Sequence, residues 1–404
     1  MKILFITDNF PPEVNAPATR TYEHCRQWSA AGDQVTVITC APNFPQGKVH
    51  DGYRNKICQR EIMDGIEVIR VWSYITANEG FAKRVLDYLS FAFTSFWAGL
   101  FKDYDVIIAT SPQFFTTFSG FALSKIRRKP WVFELRDLWP ESIKAVGAME
   151  AGLLIKFLEK IERFMYRDAD LVVPVTWAFK ENLERRGIDA GKITVIPNGA
   201  NLDLYQPQDK DHDLLSALKL DGKFVIGYIG THGLAHGLDF IIRAAAKIDH
   251  PSVHFLFIGA GAAKADAVRL ASELKVSNVT FLDPVPKEEV GRYLSVTDAA
   301  LAPLRRSDTF KTVIPSKIFE SAAMQKPILL GVDGQARQIV EQFEAGLYFE
   351  PEHEVSFLDA VSRLAADHNL YARLQDGGTR LARAYDRSRL AKQMQQELKR
   401  LRDR

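Results

Sequence analysis

Residues 303–330 read PLRRSDTFKTVIPSKIFESAAMQKPILL, and the order of apolar and polar segments here indicates the fold class. An apolar run ends in a basic and polar loop, Pro315-Ser316-Lys317 opens a short apolar helix, and a second apolar run follows. Proline near a helix start and serine beside it are typical start signals. A strand, a loop, a helix and another strand in this order indicate parallel strands joined by a helical crossover.

The same alternation of apolar runs and helical patterns extends along most of the chain. Apolar residues three and four apart predict helices over 19–31 and 153–167. The predicted strands form two series, 3–7, 35–39, 68–72, 106–109, 132–135, 171–174 and 194–197, then 224–229, 254–258, 279–282, 299–302 and 327–330. We therefore predict an α/β protein with two Rossmann-like, doubly wound parallel-sheet domains that face each other across a cleft.

The polar stretch 198–222 separates the two series and sets the expected domain boundaries. We expect a first domain over 1–200, a second over 201–380, and a charged final helix over 381–404. A chain of 404 residues is long enough for two domains with separate cores.

Composition excludes several classes of protein. With 47% apolar and 25% charged residues, the chain is an ordinary globular protein. The 52 basic and 50 acidic residues leave a net charge of +2, whereas a nucleic-acid binder usually has a basic excess. Cys25, Cys40 and Cys58 lie far apart, so the sequence indicates no disulfide framework or zinc site, and a reducing cytosol fits.

The N-terminal apolar run is too short for a signal peptide. The longest apolar stretch, 85–101, falls short of the roughly 20 residues that a bilayer span needs. We therefore expect a protein that does not cross a membrane, although it could bind to the surface of one.

The loop before Lys317 has the residues expected of a phosphate site. A helix start offers unpaired backbone amides and partial positive charge, and Lys317 and Lys311 add full charges. Arg305 and Arg306 would add more if they point inward. Glu320 lies one turn into an otherwise apolar helix, where its carboxylate could bind ribose hydroxyls. The alternative is a capped helix with surface lysines.

The segment 134–142, ELRDLWPES, follows a predicted strand and therefore lies where parallel sheets bind ligands. Its charged residues Glu134, Arg136 and Asp137 need partners so close to a buried strand. Arg136 or Asp137 could contact donor or acceptor hydroxyls. An ion pair from Arg136 to Glu134 or Asp137 that only braces the loop is the alternative.

Two glycine-rich stretches follow strands in the second series. In 227–239, GYIGTHGLAHGLD, the glycines allow a ligand to approach the backbone, and His232 and His236 lack a nearby third metal ligand. We therefore expect no metal. The stretch 257–263, FIGAGAA, together with Asp283, leaves a nicotinamide-binding fold as an alternative.

The chain resembles a family-four, retaining glycosyltransferase of the two-domain type called GT-B. The resemblance runs from the proline-rich first loop through ELRDLWPES, VIPNGANLDLY, GYIG, FLFIGAG, VTFLDPVP, TDAALAPL and PSKIFESAAMQKPIL to the final helix. These motifs are similar to those of enzymes that build bacterial surface polysaccharide, including N-acetylfucosamine-type transferases.

The resemblance implies roles for individual residues. It places Lys317, Glu320, Arg136 and Asp137 in the catalytic set. The donor-binding set is Asn15, Ala16, Gly230, Thr231, Gly259, Val285, Lys311, Thr312, Pro315 and Ser316. Glu134 and Arg20 would contact the acceptor. The final helix would pack back on the first, acceptor-binding domain, and the second domain would hold the nucleotide sugar.

Some positions depart from the family pattern. Thr312 stands for the first acid of the Glu-x7-Glu motif, and Arg136 stands for a histidine. Asn15-Ala16 replaces a glycine pair. The arginine and lysine that usually grip the diphosphate fall near His232 and His236, which are not reliably charged at neutral pH. Lys311 and Lys317 are the expected replacements.

The implied function is transfer of a sugar, of the N-acetylfucosamine type, from a UDP-sugar to a polyprenyl-diphosphate-linked saccharide, for example in O-antigen synthesis. The reaction would retain configuration and use no metal or cofactor. A sugar-nucleotide epimerase, an NAD-dependent oxidoreductase and a non-catalytic membrane-attached scaffold are the alternatives.

The stretch 80–101 is rich in aromatic residues, with Lys83 and Arg84 near one end, and 125–129, KIRRK, adds basic residues. We expect a cytoplasmic protein attached peripherally to the anionic inner face of the cell membrane through this helix. A crossover helix buried on the first sheet is the alternative.

Overall fold

The computed structural model describes residues 1–44, 46–76, 81–111, 113–139, 153–248 and 250–403. The chain divides into two compact units, one of Met1–Pro197 with Arg387–Arg404 and the other of Asn198–Asp386. The chain returns to the first unit later than residue 381, because Leu381 and Tyr385 still pack in an apolar cluster of the second unit.

The first unit contains a seven-stranded sheet in its described residues, in the order β3-β4-β2-β1-β5-β6-β7. All neighbours are parallel except β3 and β4, which form an antiparallel pair. The strands are β1 (Lys2–Ile6), β2 (Gln34–Cys40), β3 (Cys58–Met63), β4 (Ile66–Val71), β5 (Val106–Thr110), β6 (Trp131–Leu135) and β7 (Leu171–Pro174).

Helices cover both faces of this sheet, and each face has its own apolar cluster. The helices are Ala16–Ala30, Phe81–Leu100, Thr116–Arg127, Leu153–Asp168, Trp177–Arg185 and Arg387–Arg402. The last of these packs beside the first: the Trp28 indole donates to the Ala391 carbonyl (2.8 Å), and Met394 and Leu398 join the cluster that contains Trp28.

The second unit contains a six-stranded sheet in the described part of the chain, in the order β10-β9-β8-β11-β12-β13 and parallel throughout. Its strands are β8 (Phe224–Ile229), β9 (Val253–Ile258), β10 (Val279–Leu282), β11 (Ala299–Pro303), β12 (Ile328–Gly331) and β13 (Gly346–Tyr348). Its helices are His212–Ala217, Leu238–Ala245, Lys264–Glu273, Val290–Ser295, Lys317–Ala323, Gln335–Phe343, Glu354–Ala366 and His368–Ala384.

The prediction of two doubly wound parallel-sheet domains is confirmed. The predicted strand at 194–197 is wrong. The Thr194 and Ile196 amides donate to the Val172 and Pro174 carbonyls of β7 (both 3.1 Å), but Pro174 has no amide to return a bond. The pairing therefore stays incomplete and no strand forms.

Among the helices that the structure describes, none is both long enough and apolar enough to cross a membrane.

Candidate active site

Two glycine-rich loops meet at the carboxyl ends of β8 and β9. Gly230 and Gly259 both have positive φ, +143° and +148°. A Cβ on Gly259 would lie 1.9 Å from the Gly230 carbonyl oxygen, so only glycine fits there. The two loops therefore pack backbone against backbone and leave room for another group above them.

Lys317 is the group that lies against these loops. Its Nζ is 3.6 Å from the ring centroid of Tyr228, and a Cβ on Gly230 would come within 3.3 Å of it. Nζ is inaccessible to solvent and has no hydrogen-bond partner among the described residues. Burial lowers the pKa of Lys317 to about 7. The charge of Glu320 acts on Lys317, but a buried ammonium without a hydrogen-bonded anion is costly, and such a group points to a ligand.

His232 and His236 lie close to this lysine. Burial, with the neighbouring Lys264 and Lys317 charges, lowers the pKa of His232 to about 4, and burial with Lys317 lowers that of His236 to about 4. Both imidazoles are therefore neutral at pH 7. Within the described residues, no three His, Cys, Asp or Glu side chains come together as a metal site.

The other cations of the loop before Lys317 already have anionic partners. Lys311 Nζ lies 2.7 Å from Asp308, and Arg305 pairs with Asp239 (2.7 Å) and Glu352 (3.0 Å). Arg306 pairs with Glu350, 3.1 Å away. The structure therefore separates Lys311 from Lys317, since the first is a surface ion pair and the second is an enclosed cation.

The helix that begins at Lys317 is only seven residues long. Ser316 has helical backbone angles, and its side chain makes no capping hydrogen bond. Thr312 donates its hydroxyl to the Thr309 carbonyl (2.9 Å), and Pro315 precedes the helix. Glu320 lies in the first turn and is partly exposed, one turn from Lys317. The Lys317 side chain, more than the helix start, supplies the positive charge here.

The remaining predicted donor contacts lie on the same edge of the second sheet. Thr231 is exposed, and its carbonyl accepts the Tyr228 hydroxyl (2.5 Å). Val285 is partly buried and packs against the cluster that contains Ile258 and Val296. Asp283, the acid that a nicotinamide fold would need, is 95% exposed and pairs with Lys264 at 2.7 Å.

In the first unit, Arg20 and Glu134 bind each other. Arg20 Nε donates to Glu134 (2.9 Å), and its terminal nitrogens donate to the Pro197 and Ile196 carbonyls (2.6 and 2.8 Å). Both side chains are buried. The pair connects the first helix to β6 and to the segment that ends at Pro197. Its geometry is therefore that of a structural ion pair.

Asn15 caps the first helix, accepting the Ala18 amide at 2.9 Å, and Ala16 is the first residue of that helix. Arg136 is buried and donates to the Pro17 carbonyl (3.2 Å), whereas Glu134 is bonded to Arg20. Asp137 follows β6 and reaches solvent. Residues 140–142 of the motif lie outside the described residues.

Comparison with known proteins identifies the family. The description "Glycosyl transferase 4-like domain" matches residues 15–199, and "Glycosyl transferases group 1" matches 223–367. The chain is 25% identical over 388 residues to WcaI of Escherichia coli, named as a colanic acid biosynthesis glycosyl transferase, covering 92% of this chain and 95% of WcaI.

Solved structures agree in fold over nearly the whole chain. Sucrose-phosphate synthase from Thermosynechococcus elongatus superimposes with a TM-score of 0.76 at 19% identity, covering 99% of both chains. HepE of Anabaena, solved with UDP-glucose, gives 0.73 at 17% identity, again covering 99% of both. The chain belongs to the family-four glycosyltransferases with the GT-B fold.

Sequence reasoning missed Tyr228, which lies under Lys317. A tyrosine in a β-strand is usually a core residue, and the sequence carries no signal that its ring face meets a lysine some ninety positions later. It also missed Asp8 and Glu13 in the first loop, each of which has one buried carboxylate oxygen without a partner among the described residues.

Proposed function

We propose that this glycosyltransferase moves a sugar from a UDP-sugar to a polyprenyl-linked saccharide, retaining configuration and using no metal. The observation that carries the proposal is the enclosed Nζ of Lys317 on the Gly230 and Gly259 loops. A departing nucleoside diphosphate would supply the hydrogen-bonded anion that Lys317 does not have among the described residues.

The chemistry requires that negative charge on the leaving diphosphate be stabilised. A fixed cation in a dry site does this without reorganising, and such a contact contributes several kcal/mol. Lys317 would meet a phosphate oxygen, and the backbone of the glycine loops would lie close enough to add amide dipoles. Retention follows if the departing phosphate accepts the acceptor proton on the same face of the sugar.

The choice of UDP rests on likeness to related enzymes. HepE was solved with UDP-glucose, and a UDP moiety would place its ribose near Glu320 and its uracil near Val285. Both residues lie at the carboxyl edge of the second sheet, as Lys317 does. Ser316, Thr231 and Thr312 are then the candidates for the sugar and phosphate oxygens.

The acceptor would bind the first unit. Asp137 is exposed and follows β6, so it can accept hydrogen bonds from sugar hydroxyls. Arg136 is its neighbour in the chain, and the buried Arg20–Glu134 pair would stabilise the carboxyl end of β6. The relative WcaI is named for colanic acid biosynthesis, and this supports a surface-polysaccharide acceptor. For the donor, the sugar to test first is an N-acetylfucosamine-like one.

A polyprenyl-linked acceptor has to be reached at a membrane. The helix Phe81–Leu100 presents an apolar outer face: its exposed positions between 85 and 100 are Leu86, Leu89, Phe93 and Trp97. Phe93 is 65% exposed and Trp97 is 47% exposed. Lys83 and Arg84 precede this stripe. Aromatic and basic residues in this arrangement suit the headgroup region of an anionic bilayer.

The test is transfer from a panel of radiolabelled nucleotide sugars to polyprenyl-diphosphate-linked saccharides. A lipid product formed from a UDP-sugar supports the proposal. Transfer from GDP- or ADP-sugars only would overturn the UDP assignment, and transfer to a soluble acceptor only would overturn the lipid-linked one.

A further inference from the structure

Tyr228 holds an unusual position for a core tyrosine. It lies in β8 with no exposed surface, and its hydroxyl donates to the Thr231 carbonyl at 2.5 Å. That bond fixes the ring so that one face meets Lys317 Nζ, 3.6 Å from the ring centroid. The ring and the ammonium are therefore placed together by the fold.

No hydrogen bond to a carboxylate holds Lys317 among the described residues. The groups around it are Tyr228 on β8, the neutral His232 and His236 in the following loop, and Glu320 one turn along its own helix. Lys264, on the next helix, acts on His232 and adds positive charge. The charge of Glu320 favours the ammonium form, and the electron-rich face of Tyr228, 3.6 Å from Nζ, favours it as well.

We propose that Tyr228 is a positioning residue for the donor site: its ring face holds the Lys317 ammonium in place of a carboxylate. The cation then stays unpaired until the diphosphate binds, and binding takes up a proton from solvent onto Nζ. This inference rests on the proposed function, because it needs an anionic donor.

A comparison within the same loop shows why a ring suits this task. Lys311 is neutralised by Asp308, 2.7 Å away, and a diphosphate would have to displace that carboxylate. A ring face positions an ammonium without neutralising it. Burial lowers the pKa of Lys317 to about 7, so above that pH part of the population is neutral in the empty site. A bound diphosphate restores the charged form.

Calorimetry of UDP binding measures directly how many protons the protein takes up when UDP binds. Titrations at pH 8 in buffers with different ionisation enthalpies should show net uptake of up to one proton. Affinity for UDP should fall by up to about tenfold for each pH unit above 7, because UDP binds the protonated lysine. Below pH 7 the affinity should level off.

Three variants test the ring. Tyr228→Leu removes the face and should raise the donor KM on the order of tenfold, with a changed pH profile. Tyr228→Phe keeps the face and should restore most of the KM and the profile. Tyr348→Leu is the matched control, since Arg337 lies 3.9 Å over Tyr348 in the same unit, and it should leave both unchanged.

Two outcomes overturn the inference while leaving the transferase in place: UDP binding at pH 8 without proton uptake, or a Tyr228→Leu enzyme that behaves like Tyr348→Leu. If Tyr228→Leu does not fold, the number of protons that the parent protein takes up on binding UDP still tests the inference. Failure of the parent to bind UDP at all would instead count against the proposed donor.

Discussion

Two lysines of one loop show how local surroundings decide what a residue can do. Lys311 and Lys317 both follow the basic segment after β11, and both are expected from the sequence to contact the diphosphate. Lys311 is half-exposed and its bond to Asp308 raises its pKa, whereas burial lowers the pKa of Lys317. Among the described residues, only Lys311 of these two has a carboxylate at hydrogen-bond distance, so a phosphate could bind Lys317 without displacing one.

Lys317→Met should weaken UDP binding and donor turnover. Loss of a charge-assisted hydrogen bond costs about 1.5–3 kcal/mol, so kcat/KM should fall by roughly one to two orders of magnitude. Lys311→Met is the control and should change it far less, because Lys311 is already paired with Asp308 at the surface. Equal losses from both variants, or no loss from Lys317→Met, would place the phosphate elsewhere.

Asp87 lets the stability of the first unit depend on pH. Burial, with the charge of Asp8, raises the pKa of Asp87 to about 7. Between its ordinary pKa of 3.8 and about 7, the folded state binds more protons than the unfolded state, so stability falls as pH rises. Asp87→Asn should therefore stabilise the protein at pH 8, by about 1–3 kcal/mol, and little at pH 4.

Urea denaturation at both pH values measures this difference. The control is Asp103→Asn, since Asp103 is exposed and paired with Lys2, which lowers its pKa. The Asp103→Asn variant should not be more stable than the parent protein at pH 8. An Asp87→Asn protein with the same gain at pH 4 and pH 8 would mean that the carboxyl does not titrate in this range.

Among the secondary-structure elements, strands with continuous apolar runs were predictable from the sequence, whereas short or mostly polar strands were not. Strand β3 reads CQREIM with alternate residues exposed, so its pattern is mostly polar. It forms because Asp64 and Gly65, both with positive φ, turn the chain back as β4. Strand β13 has only three residues and pairs on one side with β12.

The candidate site was predictable only in part. Lys317 could be found because a basic residue at a helix start after a strand is a local pattern. The partners that neutralise Arg305 and Arg306, which are Asp239, Glu352 and Glu350, lie far away in sequence, so no local pattern shows them. The Arg20–Glu134 pair spans more than a hundred residues and was hidden for the same reason.

The helix Phe81–Leu100 should bind anionic liposomes through its apolar face. Replacing Phe93 and Trp97 by Ser should reduce co-sedimentation, because each aromatic that leaves the interface loses burial. Replacing Lys83, Arg84, Arg127 and Arg128 by Gln should also release the protein, at about 1 kcal/mol for each charge.

Val355→Ser is the control for that experiment, because Val355 is as exposed as Phe93 but lies in the second unit. It should leave binding unchanged. If the parent protein stays in the supernatant at low salt, the apolar face of the helix Phe81–Leu100 does not bind anionic lipid.

At the scale of the whole molecule, the chain passes between the two units twice, after Pro197 and after Asp386. The two passages begin side by side, since the Ala200 amide donates to the Tyr385 carbonyl at 3.1 Å. The final helix then adds Leu390, Met394, Leu398 and Leu401 to the core of the first unit. Each unit therefore has its own core, and residues from both ends of the chain complete the first.

In the proposed reaction the enclosed ammonium of Lys317, and no metal, meets the charge of the departing diphosphate. The direct test is the rate of sugar transfer from the UDP-sugar by the purified protein after dialysis against EDTA and with EDTA present. We predict a rate unchanged within about twofold, because fixed cations and amide dipoles replace the metal. A rate lost in EDTA and restored by Mg²⁺ or Mn²⁺ would contradict the account.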